Sequence, residues 1–232
     1  MTSSELEFKD CYHHLHISPL IHGVSEDDFV QICEHYDVHL KHCQVGNKIL
    51  ARDSPKDAVI VVVTGRVYAI QEDYKGKRFI IKTAEAGEAL SFTVSKVKND
   101  TLSYSVEAVA KNTKLIMFNV GQLLDPWPTK NPEALFLKNL MSFVLSAHYT
   151  TYQHLIDLSK RSTREKLIAY LLNTAFDQQS NEITIHLTRQ ELADYLCVDR
   201  SAMSTELGKL KKAGFMDYAG NHFVLHDMSK YL

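Results

Sequence analysis

The sequence predicts an α+β protein that consists of an N-terminal β-roll, one long helix and a C-terminal winged helix-turn-helix. Residues 38–120 contain short runs rich in Val, Ile and Tyr, separated by Gly and polar turns, as is typical of a β-sandwich or roll. Residues 133–158 contain neither Gly nor Pro and predict one long helix. Residues 188–214 contain two capped helical segments on either side of a three-residue break.

Composition sets broad limits on the class of protein. The chain has 232 residues, of which 45% are hydrophobic, so one or two globular domains are expected. No apolar run is long enough for a membrane span, and the N-terminus lacks the features of a secretory signal, so we expect a cytoplasmic protein without a membrane partner. The four cysteines are scattered and are expected to be reduced thiols. Because the net charge is −2, any binding to DNA is expected to depend on a local basic patch.

Turn and cap residues mark the elements of the N-terminal part. Ser25 is expected to cap a short helix that carries acidic residues in its first turn. Gly65 and Gly76 are expected at tight hairpins, and residues 86–89 at a further turn. These signals assign residues 1–130 to a β-roll domain.

The long helix is expected to need a partner. Pro126, Pro128 and Pro132 precede it, and residues 131–160 form the predicted dimerisation helix and hinge. Apolar residues recur there at three- and four-residue steps, which favours a two-stranded coiled coil, although an ordinary amphipathic helix packed on the roll is the alternative. The predicted seam comprises Leu137, Met141, Val144, His148, Thr151, Leu155 and Leu158.

Residues 161–232 are predicted to form the winged helix-turn-helix domain. Ser162 with Glu165, and Thr188 with Glu191, have the spacing of capping boxes. Residues 197–199 break the second of these helices, and Asp199 is expected to cap a helix over residues 200–213. Residues 215–225 then predict a hairpin, the wing, about the turn at residues 219–221.

The second helix of such a unit enters the major groove of DNA with its N-terminal end. Its inward positions are expected to include Ala202, Met203, Leu207 and Leu210. Residues in its first turns are expected to reach base edges, where an arginine can bind guanine through two hydrogen bonds, whereas lysines further along are expected to hold phosphates. A small helical hairpin with a solvated basic face is the alternative. The predicted DNA-binding residues are Thr188, Arg189, Gln190, Arg200, Ser201, Ser204, Thr205, Lys209, Lys211 and Lys212.

These motifs resemble those of the Crp/Fnr superfamily of bacterial transcription regulators. The most specific match is LTRQELADYLCVDRSAMSTELGKLKKAGF at residues 187–215, and NPE followed by the long helix and REKLIAYLL resembles the family's dimer helix and hinge. The resemblance implies a cyclic-nucleotide-binding-like roll, a homodimer and a roughly palindromic double-stranded DNA operator. RNA polymerase is a further partner that such a regulator can contact.

Two residues depart from the family's recognition block. Cys197 stands where the family often has Gly, which costs about 1 kcal/mol if this position is left-handed. Thr205 stands where many members have a second base-contacting arginine. The resemblance therefore carries a base contact only to Arg200, and the operator is expected to differ from the common ones.

The resemblance also implies an effector pocket beside the long helix. Members that bind cyclic nucleotides use a Gly-Glu turn and an arginine that neutralises the phosphate. Gly87-Glu88 preserves the turn, but Leu102 replaces the arginine, so no tight binding of cyclic AMP is expected. The effector is therefore an unidentified small molecule. The expected pocket residues are Gly87, Glu88, Ser103, Tyr104, His148, Tyr149 and Thr150.

No metal or cofactor is expected with certainty. The N-terminal cysteines are too dispersed for the family's iron–sulfur pattern, and a strand from residue 38 would place His39 and His42 on opposite faces. Haem is a weak alternative in which His148 makes the regulator a gas or redox sensor, although a packing role for this histidine is favoured.

An enzyme and a scaffold are the rival classes of function. A cupin-like metal enzyme needs histidines on its strands, yet none occurs between His42 and His148, and the nucleophile-elbow, P-loop and Rossmann patterns are absent. We therefore expect no catalytic residues. A ligand-sensing scaffold that does not bind DNA remains an alternative to a regulator.

Overall fold

The computed structural model divides the chain into two compact units. The first comprises residues 1–77 and 81–150, and the second comprises residues 78–80 and 151–232, so the division falls within the long helix and not at the predicted hinge. The described residues are 3–16, 18–36, 38–50, 58–92, 105–124 and 130–226.

Two N-terminal helices precede the sheets of the first unit. They are α1 (Ser3–Leu15) and α2 (Glu26–His35), with a 3-10 turn at Pro19–Ile21 between them. The predicted cap of α2 is confirmed, because the Ser25 hydroxyl accepts a hydrogen bond from the Asp28 amide at 3.2 Å. The sequence reading did not predict α1, whose apolar residues Phe8, Cys11 and Leu15 are buried.

Within the described residues of the first unit, eight strands form two antiparallel four-stranded sheets, with orders β1-β8-β3-β6 and β2-β7-β4-β5. Their bounds are β1 (His39–Cys43), β2 (Lys48–Leu50), β3 (Ala58–Thr64), β4 (Arg66–Glu72), β5 (Arg78–Glu85), β6 (Ala89–Phe92), β7 (Ser105–Ala108) and β8 (Thr113–Asn119).

Strand β3 is buried on both faces, which explains its unbroken apolar run. Ile60 and Val62 pack in the core between the two sheets, together with Val67 and Val106. The alternate residues, at positions 59, 61 and 63, pack in a second core with α1, α2 and the long helix over residues 133–158. Successive side chains of a strand point to opposite faces, so both faces of β3 must be apolar.

The predicted turns at Gly65 and Gly87 are confirmed. Gly65 connects β3 to β4 with φ +84°, a left-handed conformation that favours glycine. A Cβ atom at this position would lie 2.8 Å from the Thr113 Cα atom, so the close approach of the backbones also requires glycine. Gly87, with φ +87°, lies in the turn that leads into β6.

The long helix has the bounds that the sequence predicts. After α3 (Val120–Leu124), α4 runs over Glu133–Leu158. Phe136, Leu137 and Leu140 are buried in the second core, which contains residues 59, 61 and 63 of β3. Among the helices of the described part of the chain, none combines the length and hydropathy that a membrane span requires.

The second unit has the architecture of a winged helix-turn-helix. Both predicted capping boxes are present, with the Glu165 amide 3.2 Å from the Ser162 hydroxyl and the Glu191 amide 3.3 Å from the Thr188 hydroxyl. The sheet has the order β10-β11-β9, so a third strand extends the predicted wing hairpin. The elements are α5 (Thr163–Asp177), β9 (Glu182–Thr184), α6 (Arg189–Tyr195), α7 (Arg200–Lys212), β10 (Met216–Ala219) and β11 (His222–Leu225).

Candidate nucleic-acid interface

Helices α6 and α7 pack through a small apolar core. Leu192 and Ala193 of α6 and Met203, Leu207 and Leu210 of α7 are buried. The prediction that Ala202 faces inward is wrong, because this residue is exposed. The buried positions of α7 follow steps of three and four residues from Met203, and Ala202 lies about 100° around the helix from that residue, outside the stripe.

The turn between α6 and α7 depends on Cys197. Its φ is +51°, so the expected left-handed conformation is confirmed for a residue that is not glycine. The Val198 amide then bonds the Ala193 carbonyl at 3.0 Å, which closes the end of α6. Asp199 occupies the expected N-cap position of α7, but its side chain makes no capping hydrogen bond. The turn is therefore held mainly by backbone bonds and by the packing of the two helices.

The first turns of α7 present polar side chains to solvent. Arg200, Ser201, Ser204 and Thr205 are all exposed. Thr205 donates its hydroxyl to the Ser201 carbonyl at 3.0 Å, so this hydroxyl can offer an external ligand only an acceptor. Arg200 makes no hydrogen bond or ion pair to the described residues, and its five donors stay available for a ligand.

The predicted phosphate-binding lysines at the other end of α7 differ from one another. Lys209 binds Glu206 at 2.7 Å and Lys211 binds Asp217 at 2.9 Å. Lys212 is exposed and makes no ion pair within the described residues. Exposed ion pairs contribute at most about 1 kcal/mol, so both paired lysines can exchange a carboxylate for a phosphate.

The predicted contacts at the start of α6 are engaged within the chain. Thr188 belongs to its capping box, and the Gln190 side-chain amide donates to Asp194 at 2.9 Å. Arg189 donates to the Gly220 carbonyl at 2.7 Å in the turn of the wing. Its half-buried position lowers the pKa of the guanidinium from its usual value, although an arginine stays charged.

The predicted effector residues are described only in part. Ser103 and Tyr104, with Leu102, lie outside the described residues. Glu88 accepts a hydrogen bond from the Glu85 amide at 2.8 Å, so its carboxylate stabilises the turn at Gly87. The remaining predicted residues, His148, Tyr149 and Thr150, are exposed on α4.

Sequence reasoning missed a cation near these residues. Lys82 donates from its Nζ atom to the Ala147 carbonyl of α4 at 3.0 Å. Burial lowers the pKa of Lys82, while the charge of Glu88 acts in the opposite direction. Its position in β5, among alternating polar and apolar residues, carries no signal that distinguishes it from an ordinary surface lysine.

A cavity of about 540 Å³ lies elsewhere in the first unit and contains none of the predicted effector residues. It is lined by His14, His42, Cys43, Gln44, Thr64, Gly65, Lys111, Asn112, Thr113 and Lys114. His42 and Lys114 lie within ion-pair distance of Glu7 and Asp10, respectively. The described residues contain no group of three His, Cys, Asp or Glu side chains that could hold a metal ion.

The outer face of α4 is apolar, but it is offset from the predicted seam. Of the seam residues, Met141, His148 and Leu155 are exposed, Val144, Thr151 and Leu158 are half-buried, and Leu137 is buried in the chain's own core. Leu137 is therefore not available to a partner. The exposed apolar stripe consists of Met141, Leu145, Tyr149, Tyr152 and Leu155, which are 49–65% exposed.

The end of α4 also carries a buried histidine that the sequence reading did not single out. His154 is 8% exposed and stacks on Tyr195 of α6, with ring centroids 3.8 Å apart. Its Nε2 atom has no hydrogen-bond partner among the described residues. Burial, helped by the charge of Lys166, lowers the pKa of His154 to about 4, so the ring is neutral at pH 7.

Comparison with known proteins identifies the helix-turn-helix domain. The family of the Crp-like helix-turn-helix domain matches residues 165–230. The chain is 21% identical to Electron transport regulator A of Shewanella oneidensis over 192 residues, which cover 81% of this chain and 74% of that protein. It is 24% identical to Nitrogen fixation regulation protein FixK of Rhizobium meliloti over 170 residues, which cover 72% of each.

Solved structures share the fold over most of the chain. A mutant of CooA from Carboxydothermus hydrogenoformans has a TM-score of 0.66 at 18% identity, over 84% of this chain and 86% of that one. FixK2 from Bradyrhizobium japonicum has a TM-score of 0.62 at 18% identity, over 83% of this chain and 94% of that one. The predicted fold class, a cyclic-nucleotide-binding-like roll with a long helix and a C-terminal helix-turn-helix, is confirmed.

The domain match and the shared fold are consistent with each other. Crp/Fnr regulators bind DNA and act as dimers, and the family is one of transcription regulators, not of enzymes. The cap residues, the left-handed turn and the exposed first turns of α7 are the local features of its recognition motif in this chain. Residues 165–230 therefore form a Crp-like helix-turn-helix domain, and the chain as a whole shares the fold of solved Crp/Fnr-type transcription regulators.

Proposed function

We propose that this regulator binds a roughly palindromic operator as a homodimer and reads it with the first turns of α7. The observation that carries the proposal is that Arg200 is exposed in the first turn of α7 and makes no hydrogen bond or ion pair to the described residues. An arginine in this position can donate two hydrogen bonds to guanine in the major groove. Ser201, Ser204 and Thr205 are exposed beside it and contribute further contacts.

The remaining cations have a different role in this proposal. Lys212, and Lys209 and Lys211 after they exchange their acidic partners, hold phosphates and add affinity without sequence preference. When bound at a promoter, the dimer has RNA polymerase as a further partner.

The exposed stripe of α4 supports the homodimer. Its five apolar side chains lie on one face of the helix at steps of three and four residues. A second copy of the same helix covers such a face symmetrically, which matches the two-fold symmetry of a palindromic operator.

The first unit senses an effector that is not cyclic AMP. Leu102 supplies no charge for a cyclic phosphate, and Lys82 already donates to α4 and presents an ammonium group, not a bidentate guanidinium. Calorimetric titration of the full chain with cyclic AMP is expected to show no binding at micromolar concentrations. A micromolar dissociation constant would contradict this part of the proposal.

Selection of operators from a random DNA library tests the DNA-binding function. The wild-type protein is expected to enrich one inverted-repeat sequence, and Arg200→Ala is expected to relax the preference at one base pair of each half-site by roughly 10- to 100-fold. Lys75→Ala, which removes an exposed cation of the first unit, is the matched control and leaves the preference unchanged. Absence of any enriched sequence, or an unaltered preference in Arg200→Ala, would favour the ligand-sensing scaffold.

A further inference from the structure

Arg189 is held by the wing on two sides. Its Nη2 atom donates to the Gly220 carbonyl at 2.7 Å. The centre of its guanidinium lies 5.0 Å from the ring centroid of Tyr218 and 4.8 Å from that of Phe223. The sequence position of Arg189, at the start of α6, had assigned it to DNA.

The two aromatic residues form a single surface for this guanidinium. Tyr218 and Phe223 are directly paired across β10 and β11, and their ring centroids are 5.7 Å apart. A guanidinium is planar, so it can stack flat on aromatic faces while its edge donates a hydrogen bond, and a lysine ammonium has no such plane to stack. Arg189 therefore connects the first turn of α6 to both strands and to the turn of the wing.

A second cation supports the same strand from α7. Lys211 binds Asp217 at 2.9 Å and lies 5.5 Å from the ring centroid of Tyr218. Its side chain is exposed, unlike that of Arg189, so this contact is more accessible to solvent and to competing anions. Arg189 is the more enclosed of the two connections.

The wing itself carries no lysine or arginine. Residues 216–225 read MDYAGNHFVL, and Asn221 and His222 are exposed at its tip. Any contact of this tip with the DNA backbone thus uses backbone amides and the side chains of Asn221 and His222. Backbone amides and the Asn221 amide do not replace counterions of the phosphates, in contrast to a lysine or arginine.

We propose that Arg189 is a positioning residue that holds the wing against the helix-turn-helix, so that the tip at Asn221 and His222 contacts the DNA backbone. This inference rests on the proposed DNA-binding function. Arg189 contributes to affinity through the wing and makes no phosphate contact of its own.

The salt dependence of operator binding distinguishes a positioning role of Arg189 from a direct contact between Arg189 and a phosphate. A cation that binds one phosphate contributes about 0.9 to the slope of log affinity against log salt concentration. Arg189→Ala is therefore expected to weaken operator binding roughly tenfold with an unchanged slope. Lys212→Ala, the matched control for a phosphate contact, removes one contact from each subunit of the proposed dimer and is expected to lower the slope by about two. In a wing-tip variant, Asn221→Ala with His222→Ala, the further change Arg189→Ala is expected to have little effect.

Amide hydrogen exchange of the free protein tests, without DNA, whether Arg189 holds the wing. Arg189→Ala and Arg189→Lys are both expected to accelerate exchange across residues 216–225, while Lys212→Ala leaves these residues unchanged. Unchanged exchange in Arg189→Ala, or a slope lowered by about two, would overturn the inference in favour of a direct phosphate contact. If the wild-type protein binds no operator, the proposed function fails, and hydrogen exchange alone then decides whether Arg189 holds the wing.

Discussion

The outer faces of α4 and α7 differ in chemistry although both are exposed. The face of α4 presents Leu145, Tyr149 and Leu155 and contains no lysine or arginine between residues 139 and 158. The face of α7 presents Arg200 and Lys212 together with small hydroxyl side chains. An apolar stripe gains free energy when a protein surface covers it, whereas a cationic face gains free energy from a polyanion. The difference supports the proposal that a second copy of the chain covers α4 and that DNA binds α7.

Charges placed on the α4 stripe are expected to have the largest effect. In the variant Leu145→Glu with Leu155→Glu, four carboxylates face one another across the proposed dimer, so the protein becomes monomeric in sedimentation experiments. Operator affinity then falls by about 100-fold or more, because two half-sites are no longer bound together. Ser146→Glu adds the same charge to an exposed position outside the stripe and is the control. A dimeric double variant would show that the stripe is not the interface.

The buried side of α4 gives the next largest effect, through His154. The pKa of this residue is about 4 in the folded protein against 6.5 for an unperturbed histidine, so the unfolded chain binds the proton more strongly between these values. Stability conferred by the neutral ring is fully present above pH 6.5 and is lost as the pH falls towards 4, by up to about 3 kcal/mol. Burial raises the pKa of the nearby Asp157 carboxyl, which acts in the opposite direction and cannot produce this loss.

Urea unfolding between pH 7 and 4 measures this effect. His154→Phe keeps a ring against Tyr195 and is expected to flatten the decline of the free energy of unfolding below pH 6.5. His222→Asn changes an exposed histidine and is expected to keep the wild-type profile. Equal pH profiles for His154→Phe and the wild type would show that His154 does not cause the loss of stability at low pH.

A single glycine in α7 is expected to give the smallest effect. Gly208 lies inside the helix with a negative φ, and a Cβ atom at this position meets no atom within 4 Å. Gly208→Ala should therefore raise the free energy of unfolding by about 0.5–1 kcal/mol, measurable by thermal or urea denaturation, with the operator preference unchanged. Gly65→Ala, at a left-handed position in contact with Thr113, should instead destabilise the protein. A loss of stability in Gly208→Ala would show that α7 is strained at its centre.

Local signals in the sequence predicted elements of both units. The two capping boxes, the break between α6 and α7 and the bounds of α4 depend on residues that are close in sequence, and each is present in the structure. The family resemblance then indicated how these elements are used, in a DNA-binding regulator with a dimer helix.

Predictions that depended on contacts between distant segments were less complete. Periodicity places Leu137 on the same side of α4 as Met141, but it cannot show that the core of the first unit covers one and leaves the other exposed. Likewise, nothing near Arg189 in sequence indicates that a hairpin thirty residues later returns to contact it. Lys82 and His154 were missed for the same reason, because their surroundings come from other elements.

The acidic partners of Lys209 and Lys211 affect how the regulator searches a genome. Glu206 and Asp217 offset two of the three lysine charges near the end of α7 in the free protein, and the whole chain has a net charge of −2. A weak overall attraction to the phosphate backbone limits the time spent on the many non-specific sites that compete with an operator. Under the proposed function, occupancy of the correct site then depends more on base contacts than on charge, which favours a high ratio of specific to non-specific binding.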